Sequence, residues 1–431
     1  MSVVSFPNSM PIFYDFIFLI IAIAYLPIYL FRRKFHPEFW QRLGFLPQGL
    51  KPGRPIWIHA VSVGEVVAAR PLFARLKKSY PDKQFVISTV TPTGNRIAKS
   101  MAGEGDLVTF LPLDFSFIVK RVINEINPSL FIIVETEIWP NLILALQKKN
   151  VPIVSLNVRI SDRSFRGYRR IKWLLQPVLN KISLFCAQTA RDAERLARLG
   201  VSSDKVKVTG NMKFDLNDYT DYKNDYTDYR LKLGLNSGER LWVAGSTHPG
   251  EEEILLGVYK ELRAEFTELR LLLAPRHAER SRAIADIVLR FGFRAMLVSG
   301  LPGNCPACSS GAVFILDRLG ELASFYNAAD IVFVGGSLVK KGGHNILEPA
   351  AAGKPVVFGP QMFNFRDIAE LFLKNDAALM AADAEELKGK ISLLLGNPVL
   401  AAGLASRASG VILENRGATQ RNLELLREFV L

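Results

Sequence analysis

The chain has 431 residues, of which 49% are hydrophobic and 22% charged, and its net charge is +13 at pH 7. This apolar content excludes a wholly disordered or fibrous protein, and the length suggests two or three domains of about 150 residues each. The positive charge indicates an anionic partner, which leaves nucleic acid, anionic lipid and phosphorylated substrates open. The three cysteines, Cys186, Cys305 and Cys308, are too few for a disulfide framework, and the single C-x-x-C lacks the second ligand pair of a structural zinc site.

An uncharged apolar run, FIFLIIAIAYLPIYLF, occupies residues 16–31. A spanning helix needs about 20 apolar residues, and a start at Pro11 reaches that length with Asp15 included. No cleavage site follows, and the basic residues come after the run, which argues against a signal peptide. We therefore expect residues 1–34 to be a membrane anchor. Pro27 and the marginal length leave open a helix that lies in one leaflet, and a buried helix of a soluble protein is a third interpretation.

Basic and aromatic residues alternate directly after this run. Cations on this flank favour a cytoplasmic location for the rest of the chain, and they suit anionic headgroups, while aromatic rings suit the membrane interface. The residues concerned are Arg32, Arg33, Lys34, Phe35, Phe39, Trp40 and Arg42.

Short apolar runs alternate with helical patterns along the remaining chain. Continuous β-branched runs of this kind predict parallel strands that are covered on both faces, and their alternation with helices predicts an α/β fold. The first series covers 55–60, 84–90, 107–113, 130–135, 151–157 and 184–188, and the second covers 241–245, 271–274, 295–298, 313–316, 331–335 and 355–358.

The two series predict two α/β domains of similar size, at 35–215 and 240–431, joined by a connector at 216–239. Within the connector, NDYTDYKNDYTDYR at 217–230 is a tandem seven-residue duplication. It reads either as a polar insertion or as a recognition segment. Ligands of open α/β sheets bind at the carboxyl ends of the strands and often between domains, so we expect the chemistry in loops that follow strands.

Acidic residues follow two of the predicted strands in the first domain. Glu65 in HAVSVGE (59–65) opens a helix, where an acid complements the helix dipole or serves as a general base for an acceptor alcohol. Glu135 and Glu137 in VETEIWPN (134–141) follow the next such strand. One of these two acids can cap the following helix, and at least one is expected to be functional.

Basic residues and glycines provide candidate anion sites. Lys213 in TGNMKFD (209–215) and Arg276 in PRHAER (275–280) suit phosphate or carboxylate, although both also fit an ordinary charged surface. The glycines from Gly335 to Gly343 let the backbone amides of this loop approach an anion, and the free amides of the following helix point at the same place. Glu348 in that helix can accept ribose hydroxyls. The basic stretch 159–172 fits either a solvated helix face or a surface for anionic lipid.

Together these segments resemble the Kdo (3-deoxy-D-manno-octulosonic acid) transferases of lipopolysaccharide synthesis. The resemblance runs from the N-terminal anchor to the C-terminal helix, and its main departure is the duplicated segment. The matching motifs are HAVSVGE (59–65), STVTPTGN (88–95), VETEIWPN (134–141), TGNMKFD (209–215), GSTHPGEEE (245–253), PRHAER (275–280), LGEL (319–322), FVGGSLVKKGGHNILEPAA (333–351) and GPQMFNFRDI (359–368).

The resemblance implies a GT-B fold, in which two Rossmann-like domains face a central cleft, with the N-terminal anchor in the inner membrane and the catalytic domains on the cytoplasmic face. It implies CMP-Kdo as the donor, held mainly by the C-terminal domain, and a tetra-acylated lipid A precursor (lipid IVA) as the acceptor. Glu65 matches the general base, and Glu135 and Lys213 match transition-state stabilisers. The implied CMP contacts are Pro275, Arg276, Leu319, Gly320, Glu321, Asn345, Ile346, Leu347 and Glu348.

A single displacement by the acceptor alcohol predicts inversion at the anomeric carbon. The sequence has no D-x-D pair in a suitable context, so we expect no divalent metal and no cofactor. A sugar-nucleotide epimerase on the same scaffold is an alternative, which the anchor argues against. A non-catalytic membrane-tethered protein is a further alternative, which the strand-end acids argue against. Nucleic-acid binding explains the charge but neither the glycine loops nor the anchor.

Overall fold

The computed structural model describes residues 14–16, 18–20, 23–24, 38–51, 53–218, 229–301 and 311–430. The chain divides into two compact units, Met1–Asp218 with Arg416–Leu431, and Tyr219–Asn415. Each unit is built around its own seven-stranded parallel sheet. The predicted two-domain α/β architecture is therefore confirmed.

The first unit contains the strands β1 to β7, which pair in the order β3-β2-β1-β4-β5-β6-β7, all parallel. The direction in which the strands are added reverses between β1 and β4. The residues of β1 to β6 are buried because helices cover both faces, which explains their apolar composition. The strands are β1 (Ile56–His59), β2 (Phe85–Thr89), β3 (Leu107–Phe110), β4 (Leu130–Val134), β5 (Ile153–Val158), β6 (Leu184–Ala187) and β7 (Val206–Val208).

Helices of the first unit bury an apolar core against each face of this sheet. Trp57 and Phe131 lie in one core, with their ring centroids 4.7 Å apart, and Ile56 and Phe85 lie in the other. The helices are α1 (Val63–Ser79), α2 (Pro92–Met101), α3 (Ser116–Ile126), α4 (Pro140–Lys148), α5 (Asp162–Arg170), α6 (Lys172–Leu179) and α7 (Ala190–Arg198), with short 3₁₀ turns at Phe39–Leu43, Ser203–Lys205 and Met212–Asp218.

The second unit repeats this plan with the strand order β10-β11-β9-β8-β12-β13-β14. All of these strands are parallel, and the direction of addition reverses between β8 and β12. The strands are β8 (Arg240–Thr247), β9 (Leu269–Pro275), β10 (Arg294–Leu297), β11 (Ala312–Ile315), β12 (Ile331–Val334), β13 (Val356–Phe358) and β14 (Leu379–Met380).

Helices cover this second sheet as well, and α9 and α10 contribute to its core with Leu255, Tyr259 and Ile284. The helices are α8 (Tyr229–Lys232), α9 (Glu251–Glu265), α10 (Ser281–Arg290), α11 (Leu322–Ala328), α12 (Leu347–Ala351), α13 (Arg366–Lys374), α14 (Ala384–Gly396) and α15 (Pro398–Asn415), with 3₁₀ turns at Ala278–Arg280 and Val298–Gly300.

The last helix, α16 (Ala418–Leu426), packs in the first unit rather than the second. Leu423 and Leu426 enter the core that contains Ile56. The buried carboxylate of Asp215 accepts hydrogen bonds from the amides of Gly417 and Thr419, at 2.7 and 2.6 Å, and so satisfies the free N-terminal amides of α16. The expected second domain at 240–431 differs from the observed division because of these contacts.

Three sequence predictions concern residues largely outside those that the structure describes: the anchor at 1–34, the duplication at 217–230, and the pair Cys305 and Cys308. Residues 14–16, 18–20 and 23–24 are helical. Within the described ranges, no single helix is long and apolar enough to span a membrane, whereas the bent pair Ala384–Gly396 and Pro398–Leu426 passes the same test of length and composition jointly.

Candidate active site

Glu65 lies in the first turn of α1, directly after β1, with only 8% of its surface exposed. Its carboxylate accepts hydrogen bonds from the Val61 amide at 2.7 Å and from the Ser62 hydroxyl at 2.9 Å. Burial and the neighbouring carboxylates raise the pKa of Glu65 to about 7, against the opposing effect of these two hydrogen bonds. Glu65 therefore completes the helix N-terminus and also has the proton affinity of a general base near neutral pH.

The turn that carries Glu65 is held by the loop after β2. The amides of Val90 and Thr91 both donate to the Val61 carbonyl at 3.2 Å. His59, at the end of β1, is fully buried, and its Nδ1 lies 3.0 Å from the Ser88 hydroxyl. Burial lowers the pKa of His59 to about 4, so this ring is a neutral part of the core.

Glu135 follows β4 and forms an ion pair with Lys213, with Oε1 and Nζ 3.1 Å apart. The backbone of Glu135 has φ = 64°, the left-handed region that non-glycine residues rarely occupy. Its amide donates to the Leu156 carbonyl at 2.8 Å, and its own carbonyl accepts from the Ser155 hydroxyl at 3.0 Å. Contacts with β5 thus hold Glu135 in this conformation, as is common at functional sites.

Lys213 reaches Glu135 from the 3₁₀ turn Met212–Asp218. Asn157, another left-handed residue with φ = 57°, accepts a hydrogen bond from the Met212 amide at 2.9 Å. The Lys213 amide donates to the Asn211 side chain at 3.0 Å. The TGNMKFD motif therefore has two roles: it places the ammonium group of Lys213 next to Glu135, and its Asp215 binds the N-terminus of α16.

Three carboxylates interact electrostatically at this edge of the first sheet. Glu135 raises the pKa of Glu65, and Glu137 makes a smaller contribution. Burial, with a smaller contribution from Glu135, raises the pKa of Glu137 to about 7. The strand order reverses between β1 and β4, which precede Glu65 and Glu135, and such a reversal is where open α/β sheets bind ligands. The structure thus brings Glu65, Glu135 and Lys213 together at one edge of the sheet.

An apolar cavity of about 330 Å³ lies beside Glu137. Leu144, Ile171 and Leu174 are among its lining residues. Tyr168 of α5 also lines the cavity, and this helix carries four exposed arginines, Arg163, Arg166, Arg169 and Arg170. A carboxylate, an apolar cavity and cations therefore lie close together in the first unit.

In the second unit, Pro275 and Arg276 lie at the end of β9, where the Arg276 amide donates to the Thr247 carbonyl of β8 at 3.0 Å. Arg276 interacts electrostatically with His344 and with Glu348. The guanidinium therefore lies close to the loop that follows β12, as its predicted phosphate-binding role requires.

The predicted residues Asn345 to Glu348 form the start of α12. The Asn345 side chain accepts from the Leu347 amide at 3.1 Å and donates to the exposed Glu348 carboxylate at 3.0 Å. Ile346 and Leu347 are buried, so their side chains serve the core and only their backbone is available to a ligand.

Leu319, Gly320 and Glu321 lie after β11, just before α11. Leu319 is 77% exposed, Gly320 has φ = 90°, and the Glu321 carboxylate lies 3.2 Å from the Lys232 ammonium. Helix α11 packs against α12. Because β11, β9, β8 and β12 are consecutive in the sheet, the predicted donor residues lie at one edge of it.

The glycine loop after β12 (residues 335–343) differs from the expectation based on the sequence. The amides of Gly336, Ser337 and Leu338 all donate to the carboxylate of Glu251, at 2.7 to 3.0 Å, and the His248 amide donates to it at 2.9 Å. Glu251 is fully buried. These amides, which were expected to bind a substrate anion, are satisfied by an internal carboxylate.

Glu252 binds one of the two arginines of the PRHAER motif. Its buried carboxylate forms a bidentate ion pair with Arg280, at 2.8 and 3.1 Å, and accepts from the Thr247 hydroxyl at 2.8 Å. Of the two arginines in PRHAER, Arg280 is therefore structural.

Sequence reasoning assigned no role to Glu251, Glu252, His248 or His344. The first three lie in the motif GSTHPGEEE, and the only available signal was its density of charged residues after a strand. No group of three or more His, Cys, Asp or Glu side chains suited to a metal ion is found in the part of the chain that the structure describes.

The fold is shared with enzymes that act on sugar nucleotides. A UDP-GlcNAc 2-epimerase from Neisseria meningitidis, bound to UDP-GlcNAc, matches with a TM-score of 0.60 and 12% identity over 87% of this chain and all of that one. A glycosyltransferase from Rickettsia africae matches with a TM-score of 0.57 and 15% identity over 88% of this chain and 99% of that one. At these identities the likeness defines a class, the GT-B-like α/β proteins with two parallel-sheet domains.

Sequence similarity narrows this class. Residues 37–216 match the family described as 3-deoxy-D-manno-octulosonic-acid transferase (kdotransferase). The 3-deoxy-D-manno-octulosonic acid transferase of Haemophilus influenzae is 39% identical over 91% of this chain and 92% of its own length. That of Chlamydophila psittaci is 31% identical over 97% and 96%. The chain therefore belongs to the Kdo transferase family, which confirms the resemblance seen in its sequence motifs.

Proposed function

We propose that this chain transfers Kdo from CMP-Kdo to a sugar hydroxyl of a lipid A precursor, with inversion and with Glu65 as the general base. Family membership supports Kdo transfer in lipopolysaccharide synthesis. The proposed chemistry rests on the Glu65 carboxylate, which lies near Glu135 and Glu137 at the edge of the first sheet. Its pKa is raised to about 7. A base with that pKa is half ionised near neutral pH, where it accepts a proton effectively.

In the proposed reaction, the acceptor oxygen forms a bond to the anomeric carbon of Kdo as the bond from that carbon to the CMP phosphate oxygen breaks. The electron pair of the breaking bond leaves with CMP, and the hydroxyl proton passes to Glu65. A single displacement of this kind inverts the anomeric centre. The Glu135–Lys213 pair lies beside the base, where fixed charges can stabilise the charge that develops in the transition state.

The second domain supplies the proposed donor site. Arg276 can pair with the CMP phosphate, and Glu348 can accept ribose hydroxyls. Both lie at the edge of the second sheet near the reversal of strand order, the usual place for a nucleotide in such a sheet. The backbone from Asn345 to Leu347 and that of Leu319 to Glu321 complete the proposed CMP contacts.

The first domain supplies the proposed lipid site. An acceptor with acyl chains and phosphate groups needs an apolar surface bordered by cations. The cavity beside Glu137 has largely apolar walls, and α5, which contributes Tyr168 to its lining, carries exposed arginines. This arrangement supports a lipid acceptor and also supports the proposed location at the inner membrane, with the catalytic domains on the cytoplasmic face.

The test is incubation of the purified chain with CMP-Kdo and the tetra-acylated lipid A precursor, followed by mass spectrometry of the lipid and NMR of the anomeric configuration. The expected product carries Kdo with the configuration opposite to that of the donor. A Glu65→Gln variant is the matched control, since it keeps the shape of the side chain and lacks the base. Release of free Kdo without lipid product would contradict the proposed acceptor, and retention of configuration would contradict the single displacement.

A further inference from the structure

Two histidines meet at the reversal of strand order in the second domain. His248 follows β8 and His344 precedes α12, and their Nε2 atoms lie 2.9 Å apart. The planes of the two rings are nearly parallel, 6° apart, with centroids 5.1 Å apart, and His277 approaches His248 edge-on with centroids 6.2 Å apart. Three of the five histidines in the sequence are therefore gathered at the edge where the donor is proposed to bind.

The glycine loop is shaped around this pair. Gly336 has φ = 68°, and a Cβ atom there would lie 3.0 Å from Cδ2 of His344 and 3.3 Å from Cδ2 of His248. The amide of Gly336 donates to Glu251, which also accepts from the His248 amide. Because Glu251 occupies the amides of Gly336, Ser337 and Leu338, these three amides are not available to an incoming anion, and nearby side chains become candidates for binding it.

The free pair holds one hydrogen between the two Nε2 atoms, so one ring donates and the other accepts. Burial, with smaller contributions from His248, Arg276 and His277, lowers the pKa of His344 to about 4. Burial also lowers the pKa of His248, together with Lys341, His277 and Arg280, while Glu252 opposes them. Both rings are therefore neutral near pH 7, within a group of cationic side chains.

This local charge changes when an anion arrives. Arg280 is neutralised by its bidentate pair with Glu252, which leaves Arg276 and Lys341 as the cations that act on His344 and His248 respectively. An oxyanion placed among these groups favours the protonated form of the imidazoles. One further proton converts the pair into a cation in which the Nε2 hydrogen is still shared and both Nδ1 atoms carry a hydrogen.

We propose that the His248–His344 pair binds an oxyanion of the nucleotide-sugar donor and takes up one proton as that oxyanion arrives. The proposal rests on the donor class given above. The oxyanion is either the nucleotide phosphate or the carboxylate of the acidic sugar, and two ligands separate these sources. CMP carries only the phosphate, whereas CMP-Kdo carries both groups.

The expected pH dependence follows from the proton uptake. In the pH range where the ligand-bound histidine pair is protonated and the free pair is not, the affinity of the protein for the oxyanion falls by up to tenfold for each unit of pH. Above the pKa of the bound pair, the affinity no longer changes with pH. KM for CMP-Kdo is therefore expected to rise with pH between the pKa of the free pair and that of the bound pair. The phosphate of CMP-Kdo is a diester and lacks the ionisation near pH 6 that CMP shows, so this rise reports on the protein.

The test uses the full-length chain in detergent and the variants His248→Gln and His344→Gln, with Lys340→Gln as a control at an exposed position next to Lys341. Calorimetric titration with CMP in buffers of different ionisation heat gives the affinity and the number of protons taken up. Steady-state assays give KM and kcat for CMP-Kdo as a function of pH. Thermal unfolding checks that each variant is folded.

If the pair binds the phosphate, each histidine variant loses about tenfold in CMP affinity together with the proton uptake. If it binds the carboxylate, CMP affinity is unchanged and KM for CMP-Kdo rises about tenfold. The proposal is overturned if both variants match the wild type, or if Lys340→Gln has the same effect. Should neither histidine variant fold, a pH-independent KM of the wild type overturns it. A wild type that binds no CMP and transfers no Kdo would instead overturn the proposed function.

Discussion

The ammonium group of Lys213 lies 3.1 Å from Oε1 of Glu135, so one of the three carboxylates at this edge of the first sheet is paired with a cation. Glu135 is the carboxylate that raises the pKa of both Glu65 and Glu137. Lys213 holds the Glu135 side chain in place, and the negative charge of Glu135 keeps the proton affinity of Glu65 high. The pair therefore acts on the base without having to contact the transferred sugar.

Replacing Glu135 with Gln tests this coupling. Glu65 accepts a proton only when ionised, so activity is expected to rise with pH through its pKa of about 7. Removing the negative charge of Glu135 lowers the pKa of Glu65, and the acidic limb of the kcat/KM profile should move to lower pH by about one unit. Glu125→Gln, at an exposed position of α3, serves as the control. An unmoved limb in Glu135→Gln would show that Glu65 is not the titrating group.

Replacing Glu65 with Ala should reduce turnover by about 10²–10⁴-fold, which is the usual contribution of a general base. The same change removes the acceptor for the Val61 amide and the Ser62 hydroxyl, and it should cost about 1 kcal/mol of stability, as for a lost helix cap. Glu65→Gln keeps an acceptor oxygen, so its loss of activity reports mainly on the base. Turnover and thermal unfolding measure both effects, and near-normal turnover in either variant would exclude Glu65 as the base.

Much of this architecture could be predicted from the sequence because continuous apolar strands and the acids that follow them are local features. Parallel strands end at one edge of a sheet, so acids after β1 and β4 had to lie on the same edge. Whether those loops are neighbours depends on strand order, which periodicity does not encode. The contact of Glu251 with Gly336, 85 residues away, and the packing of α16 near Asp215 also depend on the tertiary fold, so local sequence patterns do not predict them. The left-handed backbone of Glu135 could not be predicted either, because such a conformation is usually indicated by a glycine and this position holds a glutamate.

Replacing Glu251 with Ala should destabilise the second domain by about 3–5 kcal/mol. Four backbone amides donate to this fully buried carboxylate, and they would lose their acceptor in the interior. Glu253→Ala is the matched control, because Glu253 is exposed in the same first turn of α9 and should change stability by less than about 0.5 kcal/mol. Urea denaturation followed by circular dichroism compares the two, and equal stabilities would show that the loop amides do not depend on Glu251.

Replacing Arg276 with Ala should weaken CMP binding by about tenfold or more, since the proposed bidentate contact with phosphate is lost. Arg276→Lys should recover only part of the affinity, because an ammonium group is a point charge without the planar fork. Arg282→Ala changes an exposed arginine on the neighbouring helix α10 and should leave CMP affinity unchanged. Calorimetric titration with CMP measures all three variants. Unchanged affinity in Arg276→Ala would place the phosphate elsewhere.

Removing residues 1–31 should release the protein from membranes, since the apolar run at 16–31 supplies most of the proposed anchoring. The deletion also removes Asp15, which accepts hydrogen bonds from the Ser116 amide at 3.0 Å and from the Asn141 side chain at 2.7 Å. Asp15→Asn in the full chain is therefore the matched control, because it weakens these contacts and keeps the apolar run.

Flotation with vesicles that contain anionic lipid compares the two proteins. Asp15→Asn should float with the vesicles, and the truncated chain should remain in solution. The exposed arginines of α5 are expected to give the truncated chain a weak, salt-sensitive affinity that disappears above physiological ionic strength, because exposed charges are screened within about 8 Å at 0.15 M. Salt-resistant flotation of the truncated chain would mean that the basic and aromatic surface is itself sufficient for membrane binding.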